Sequence, residues 1–530
     1  MKPRAKAMCS ASFPHQKTGR HDPAPIRKGK GKMPTQSIAS IIRGHAQRKG
    51  SMPAITYPDG TLSWSELDKR SNQRARMLAS LGVKRDDLVV VMLPNSSEFH
   101  EAVAGVWKAG ATPCLLPPRL PGREASEILE LARPAAIIGE ISATYDCPGI
   151  APGAPLDQYS DAPVEDVGAA HWKAVASGGS SGRPKIIVDN MPAFIDTDAP
   201  PYFGMGFPPD GAMLNPGPLY HNMPFLFTSL GLLAGSHIVG MERFDAEECL
   251  RLIERHKVEL MAVVPTMMQR IWALPEAVRT SFDMSSLGFV WHMSAPCPPW
   301  LKHGWIDWLG AEKIFEVYGG TEGGGGTLIT GPEWLAKPGS VGKPVLGTIR
   351  ILREDGNEAE IGEVGEVHFP AAGSDKFRYI GADARKDASG GYSIGDLGHV
   401  DEDGYLFLAD RRSDLILRGG ANIYPAEVEA VLDEHPLIAS SCVVGLPSED
   451  LGERVHAIIE LRAGQAVDLA AIAAHVGERL ARFKWPSSYE LSETPLRDDA
   501  GKVRRTALKA ERRSWIEEGR SFEVPPAPST

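Results

Sequence analysis

Cysteine is scarce in this 530-residue chain: Cys9, Cys114, Cys147, Cys249, Cys297 and Cys442 lie far apart, with no CxxC spacing and no cysteine–histidine cluster. That excludes a disulfide scaffold and a structural zinc site, and predicts free thiols in a reducing cytoplasm. Long apolar runs are missing as well. Nothing approaches the roughly 18 residues of a membrane-spanning helix, so no integral membrane association is expected. The chain has no excess of positive charge, its formal net charge being −10. The electrostatic case for nucleic acid or an anionic membrane as partner falls away with it. No internal repeat and no long low-complexity linker interrupts the folded part.

The two ends differ from the rest. The first 32 residues hold nine Lys or Arg against the single acid Asp22, with several prolines and no apolar core of a secretory signal. Residues 1–36 are expected to be a disordered basic arm, and residues 519–530, ending in VPPAPST, a disordered tail. Between them helical and β-branched segments alternate, as in Leu88–Leu93 (strand), Glu98–Ala109 (helix) and Ala111–Leu116 (strand). Asp245–Lys257 reads as a helix opened by a capping box of Asp245 and Glu248, and Leu260–Val264 as the strand after it. The alternation predicts an α/β protein with parallel-rich sheets. A large domain is expected over 37–409. The rhythm restarts after the charged stretch Asp410–Asp414, which predicts a smaller α/β domain over 410–518.

The most telling segment is Ser177–Lys185, SGGSSGRPK, between the short strands expected at His171–Ala176 and Ile186–Val188. Gly178, Gly179 and Gly182 allow backbone N–H groups to approach an anion. Ser177, Ser180 and Ser181 can donate to phosphate oxygens, and Arg183 and Lys185 offset a leaving pyrophosphate. A plain surface hairpin loop is the competing reading. A Walker A loop is excluded, because Gly182 is followed by Arg-Pro and a strand instead of Lys-Ser/Thr and a helix. Gly178–Gly182 also spells G-x-S-x-G, but a nucleophile elbow needs a helix next, and Ile186–Val188 is β-branched. A serine hydrolase using Ser180 remains as a weak alternative.

Read together with Tyr318-Gly-Gly-Thr-Glu322, Ser393-Ile-Gly-Asp396, Asp410-Arg411 and Gly501-Lys502, the loop resembles the adenylate-forming superfamily of acyl-CoA synthetases, luciferases and peptide-synthetase adenylation domains, specifically its acid:CoA ligase branch. The likeness spans roughly Ser37 to Leu508. It implies a large domain carrying the site, a mobile C-terminal lid, and ATP, Mg²⁺ and coenzyme A as cofactor and co-substrates. A carboxylic acid attacks the α-phosphorus of ATP to give acyl-AMP and pyrophosphate, and a thiol then displaces AMP.

By the same resemblance, Tyr318 stacks on adenine, Gly319 belongs to the nucleotide site and leaves room for the acyl-phosphate, Ser294, Ala295 and Pro296 line the other side of adenine, and Thr321 bonds the α-phosphate. Glu322 is the implied Mg²⁺ ligand, and both Asp396, on a turn after Tyr392, and Arg411 bind the ribose. Lys502 bridges the substrate carboxylate and the α-phosphate, and Ser413 sits at the hinge. Gly419 and Gly420 give passage to pantetheine, and Phe483 flanks the CoA nucleotide. His221 is the implied acyl gate, with Val264, Pro265, His292 and Gly319 as further walls. Tyr220–Phe225 contains no acid to pair with an ammonium, which disfavours an amino acid. The SGG form of the loop is similar to that of bacterial bile-acid or steroid-acid CoA ligases, so a bulky apolar acid (bile or steroid side-chain, aryl or fatty) is expected. A homodimer is compatible. A carrier-protein ligase and a luciferase-like oxygenase are the nearest alternatives. A non-catalytic nucleotide-binding relative is disfavoured by the intact Lys502, Glu322 and Asp396.

Overall fold

Apolar, β-branched runs between residues 53 and 319 lie side by side as parallel strands. The computed structural model describes residues 35–523 apart from 121, 141–144, 178–183, 199, 201–203, 346, 420, 449, 463, 466 and 499–500. In it Pro53–Tyr57, His237–Gly240, Ala212–Asn215, Val258–Val263, Phe289–Met293 and Ile314–Gly319 follow one another across a parallel run. Gly326–Thr330 and Ser340–Pro344 continue it antiparallel, within a sheet of 14 strands. A second sheet of seven strands carries Leu88–Met92, Thr112–Leu115 and Ala174–Ser177 in parallel, and then Lys185–Asp189 and Phe377–Ile380 antiparallel. Strands buried on both faces read as unbroken apolar runs, as LVVVM does at 88–92.

The helix Asn222–Ala234 is apolar around its whole circumference, a property of interior helices. Phe225, Phe227 and Leu230 share one buried cluster with Val89 and Val91 of the smaller sheet and Met213, Leu260 and Trp291 of the larger, so the helix fills the space between the two. Gly235 ends it at φ 93°, where a Cβ would come within 2.7 Å of the His45 ring.

A third sheet, of five strands, includes Ile416–Arg418, Ile438–Ser448, Gly452–Leu461 and Ser488–Leu491. It builds its own core with the helices Pro425–Asp433 and Leu469–Arg479 through Ile423, Val428, Leu432, Val443, Ile472 and Val476. Large parallel-rich part plus small α/β part is the expected fold class.

Several local expectations change. Thr35 and Gln36, assigned to the N-terminal arm, pair with Phe194–Asp196 as the start of a short strand. At the other end Phe522 packs 4.3 Å from the His456 ring, so the ordered chain runs into the expected tail. Asp245 does cap the helix Ala246–His256 by accepting the Glu248 N–H, but Glu248 turns to Arg251 instead of closing a capping box. The strand before the phosphate-type loop starts at Ala174, three residues later than expected. The segment after the loop is a strand, Lys185–Asp189, which removes the geometry a serine nucleophile elbow needs.

Candidate active site

Parallel strands bring their carboxyl ends to one edge, the usual ligand crevice of open α/β sheets. Val258–Val263, Phe289–Met293 and Ile314–Gly319 are adjacent there, so Val264–Pro265, Ser294–Pro296 and the turn after Gly319 gather together. Ser294 adopts φ 74°, a left-handed conformation that costs a non-glycine residue about 1–2 kcal/mol. Backbone strain of this kind concentrates at ligand sites.

Glu322 is buried, and two groups converge on it. Its Oε1 accepts a hydrogen bond from Tyr379 Oη at 2.5 Å and lies 3.6 Å from Lys185 Nζ, whose ammonium sits 3.9 Å from the centre of the Tyr379 ring. Burial lowers the Lys185 pKa, and the Glu322 charge opposes that shift. Oε2 folds over Gly320, where a Cβ would approach within 2.4 Å. Among the described residues no group of three or more His, Cys, Asp and Glu is arranged around a metal. Magnesium does not require one, since it commonly takes one or two carboxylates and completes its shell with phosphate oxygens and water. Glu322 fits that role.

Asp396 lies inside the strand Tyr392–Val400, paired across the ladder with Arg411, and not on a turn as expected. Gly395 at φ 91° and a register shift at Leu397/Gly398 mark an irregularity in the strand. Asp396 Oδ2 accepts from Tyr318 Oη at 2.7 Å, and Oδ1 lies 3.3 Å from Arg411 Nε. Burial raises the Asp396 pKa, opposed by Arg411 and Tyr318; burial likewise raises that of Tyr318, with the Asp396 charge adding to it. Tyr318, Asp396 and Arg411 thus form one connected group, with the Arg411 side chain open to solvent.

Lys502 arrives from the small C-terminal part. Its N–H donates to Asp498 Oδ1 at 2.9 Å, and Gly501 beside it takes φ 76°. A Cβ on Gly501 would sit 2.8 Å from Thr266 Oγ1 of the large part, so the two parts are in close contact here, as they are where Gln269 Nε2 donates to Ala439 O at 2.9 Å. Lys502 is open to water, yet protein crowds around it closely enough to lower its pKa, with Arg411 adding to the effect and Asp498 and Glu322 opposing it.

His221 precedes the helix Asn222–Ala234 at its N-cap, its ring 4.6 Å from that of Tyr220. Burial, aided by the Lys502 charge, pulls its pKa down to about 3, so the imidazole is neutral. Lys502, His221, Glu322 and Arg411 therefore share one electrostatic neighbourhood.

The lid residues implied for the thiol substrate form a separate cluster. Gly419, at φ 56°, donates its N–H to Leu451 O at 2.8 Å, and the neighbouring Arg418 guanidinium donates to Phe483 O at 2.8 Å. Phe483 exposes 47% of its surface. At the expected hinge, Ser413 Oγ donates to Asp414 Oδ1 at 3.0 Å, and Asp410 Oδ2 accepts the Ala426 N–H at 2.7 Å, joining a strand of the large sheet to the N-terminus of Pro425–Asp433. Gly178, Gly179, Ser180, Ser181, Gly182, Arg183 and Gly420 lie outside the described residues, as does the side chain of Ser177.

One wall assignment is overturned. His292 points away from the gate, fully buried, with its Nε2 3.8 Å from Glu316 Oε2, which itself pairs with Lys302 at 2.5 Å. Its strand neighbours Trp291 and Met293 are the ones that share a cluster with Tyr220 and Met223. Sequence reasoning also missed Tyr379 and Thr266, which no motif marks, and Lys173, a lysine inside an apolar run. A cation in that setting was a readable signal, because lysine is almost never fully buried without a partner.

The chain matches the AMP-binding enzyme family over residues 42–373 and the AMP-binding enzyme C-terminal domain over residues 427–498. It is 30% identical over 483 residues to a 2-succinylbenzoate–CoA ligase of Bacillus licheniformis, covering 88% of this chain and 98% of the relative. It is 29% identical over 502 residues to the long-chain-fatty-acid–CoA ligase FadD13 of Mycobacterium tuberculosis, covering 89% and 98%. Among solved structures it is similar to the o-succinylbenzoate CoA synthetase of Bacillus subtilis in complex with its acyl-adenylate intermediate, with TM-score 0.75 and 25% identity over 93% of this chain and 100% of that one.

Proposed function

The chain belongs to the AMP-binding enzyme family, in its acid:CoA ligase branch, and from that premise we propose that it activates a bulky apolar carboxylic acid with ATP and transfers the acyl group to coenzyme A. The observation that carries this reading is that Gly501, the neighbour of Lys502, packs against Thr266 of the large part, on which Tyr318, Asp396 and Arg411 form one connected group.

In the first step a carboxylate oxygen attacks the α-phosphorus of ATP and pyrophosphate leaves. Lys502 lies between carboxylate and α-phosphate, draws the two anions together and stabilises the charge that develops. Tyr318 stacks on adenine, with Gly319 and Ser294–Pro296 around it, and Thr321 bonds the α-phosphate. Asp396 and Arg411 take the ribose hydroxyls, a vicinal diol suiting an acceptor-only carboxylate. Lys185 and the loop from Ser177 to Gly182 receive the pyrophosphate. Glu322 would hold Mg²⁺ with phosphate oxygens as its other ligands, and the ion supplies charge neutralisation there.

In the second step the lid turns about Ser413, bringing Gly419, Gly420 and Phe483 to the site in place of Lys502. The CoA sulfur attacks the acyl carbon, the thiol proton is released, and AMP leaves. His221, neutral and movable, gates the acyl group between the steps. Tyr220, Met223, Leu226, Val317 and Leu328 are partly buried and pack against the same apolar cluster as Phe225, which supports an apolar acid. The five described cysteines are free, in keeping with a cytoplasmic setting.

ATP-dependent pyrophosphate release over bile and steroid acids, aryl acids, fatty acids of several lengths and amino acids, with and without CoA, tests the reading. One responsive apolar class yielding a CoA thioester supports it. Release without thioester points to another acceptor, and silence from folded, ATP-binding protein refutes it.

A further inference from the structure

Lys173 leads into the strand Ala174–Ser177, which delivers the phosphate-type loop, and only 3% of its surface is exposed. Its ammonium donates to Asn222 Oδ1 at 2.7 Å and lies 3.4 Å from Asp189 Oδ2. A buried ammonium persists only against compensating acceptors. Asp189 supplies the opposite charge, and its own oxygens are further held by Trp172 Nε1 at 2.7 Å and by the Met191 N–H at 2.9 Å. Charge balance therefore does not depend on Asn222.

What Lys173 does to Asn222 is orient it. An amide's oxygen and nitrogen are nearly the same size, so shape alone leaves its two flips equivalent. An ammonium donates, so only the amide oxygen can face it. Lys173 thus fixes Oδ1 toward the strand and turns the two N–H donors of Nδ2 the other way. There the partner among the described residues is Met223 Sδ at 3.8 Å, and a thioether is a weak acceptor. Asn222 is 9% exposed and is the first residue of the helix behind His221. A buried amide with two donors and only a thioether to satisfy them calls for a stronger acceptor.

Resting on the adenylation reading above, we propose that Asn222 Nδ2 donates a hydrogen bond to an oxygen at the carboxylate end of the bound acid, and that Lys173 is the positioning residue that holds the amide in that sense. No bond to the substrate is made by Lys173 itself. The arrangement places a fixed neutral donor directly after His221 in the chain, at the start of the helix Asn222–Ala234.

The substitution Asn222→Asp separates this role from a structural one. It keeps the shape and strengthens the contact with Lys173, but offers the acid an oxygen where the N–H donors were. The KM for the acid rises about 30-fold or more, the KM for ATP stays within about twofold, and the thermal midpoint does not fall. Lys173→Met combined with Asp189→Asn frees the amide to flip and raises the acid KM about tenfold, again without moving the ATP KM. Calorimetry of the most active panel acid binding in the presence of α,β-methylene-ATP reads the same loss without turnover, and Asn222→Ala serves there should the Asp variant fold poorly. An acid KM within about threefold of wild type in Asn222→Asp, or unchanged acid affinity in Asn222→Ala, overturns the inference alone. A folded, ATP-binding wild type inert toward every acid overturns the adenylation reading and this inference with it.

Discussion

Lys502→Ala removes one positive charge from the place where the proposed mechanism brings two anions together, and little else. The turn around it is held by its own backbone, the Lys502 N–H donating to Asp498 Oδ1 and its carbonyl accepting the Asp498 N–H, both at 2.9 Å. Two unit charges about 4 Å apart gain roughly 4 kcal/mol at an effective dielectric constant near 20. Lys502 remains open to water, which screens part of that, so the loss in the adenylation transition state is about 2–4 kcal/mol, or about 30- to 1,000-fold in rate. The assay separates the half-reactions: pyrophosphate release from acid and ATP, and thioester formation from synthetic acyl-AMP and CoA. Adenylation falls by that factor while thioester formation changes less than about threefold. Equal losses in the two steps, or an adenylation rate reduced less than about fivefold, refute the role given to Lys502.

Tyr379→Phe keeps the ring under Lys185 but loses the hydrogen bond to Glu322, worth about 1.5–3 kcal/mol for a charged acceptor. Adenylation slows about tenfold or more and half-saturation by Mg²⁺ moves upward, whereas an unchanged Mg²⁺ dependence contradicts the assignment of Glu322. Gly501→Ala places a methyl group against Thr266 in the orientation that brings Lys502 to the site, so adenylation suffers and thioester formation from acyl-AMP does not. Burial holds the His100 pKa at about 3, below its unfolded value. The unfolded chain therefore takes up a proton that the folded one refuses, and stability, complete above about pH 6.5, drops by about 2 kcal/mol on going to pH 5 from this group alone. Urea midpoints across that range decline less steeply in His100→Gln, and parallel slopes rule the group out.

Much of the site is legible without the fold, because the motifs single out Tyr318, Glu322, Asp396 and Arg411, and Tyr318, Asp396 and Arg411 form one connected group. What resists reading depends on long-range pairing or on strand parity. Tyr379 reaches Glu322 only because Phe377–Ile380 lies antiparallel to Lys185–Asp189, with Ile380 opposite Ile186. That pairing joins segments far apart in the chain, and no local pattern encodes it. Family position suggests His292 as a pocket wall, although alternation along a strand puts it on the face opposite Met293, and parity decides. A turn is expected at Asp396, yet Gly395 lies inside a strand, at φ 91°, two residues before a register shift at Leu397/Gly398. The orientation of Asn222 is beyond local reading, since Lys173 is 49 residues away in sequence.

The central claim is that a carboxylate oxygen of the acid becomes bonded to the α-phosphorus of ATP. The most direct measurement is a turnover with the acid labelled with ¹⁸O in its carboxylate, in the presence of ATP, Mg²⁺ and CoA, followed by mass spectrometry of the phosphate products. Attack at the α-phosphorus leaves a labelled oxygen in AMP and none in pyrophosphate. Label in pyrophosphate or inorganic phosphate, or thioester formed with AMP unlabelled, contradicts the account.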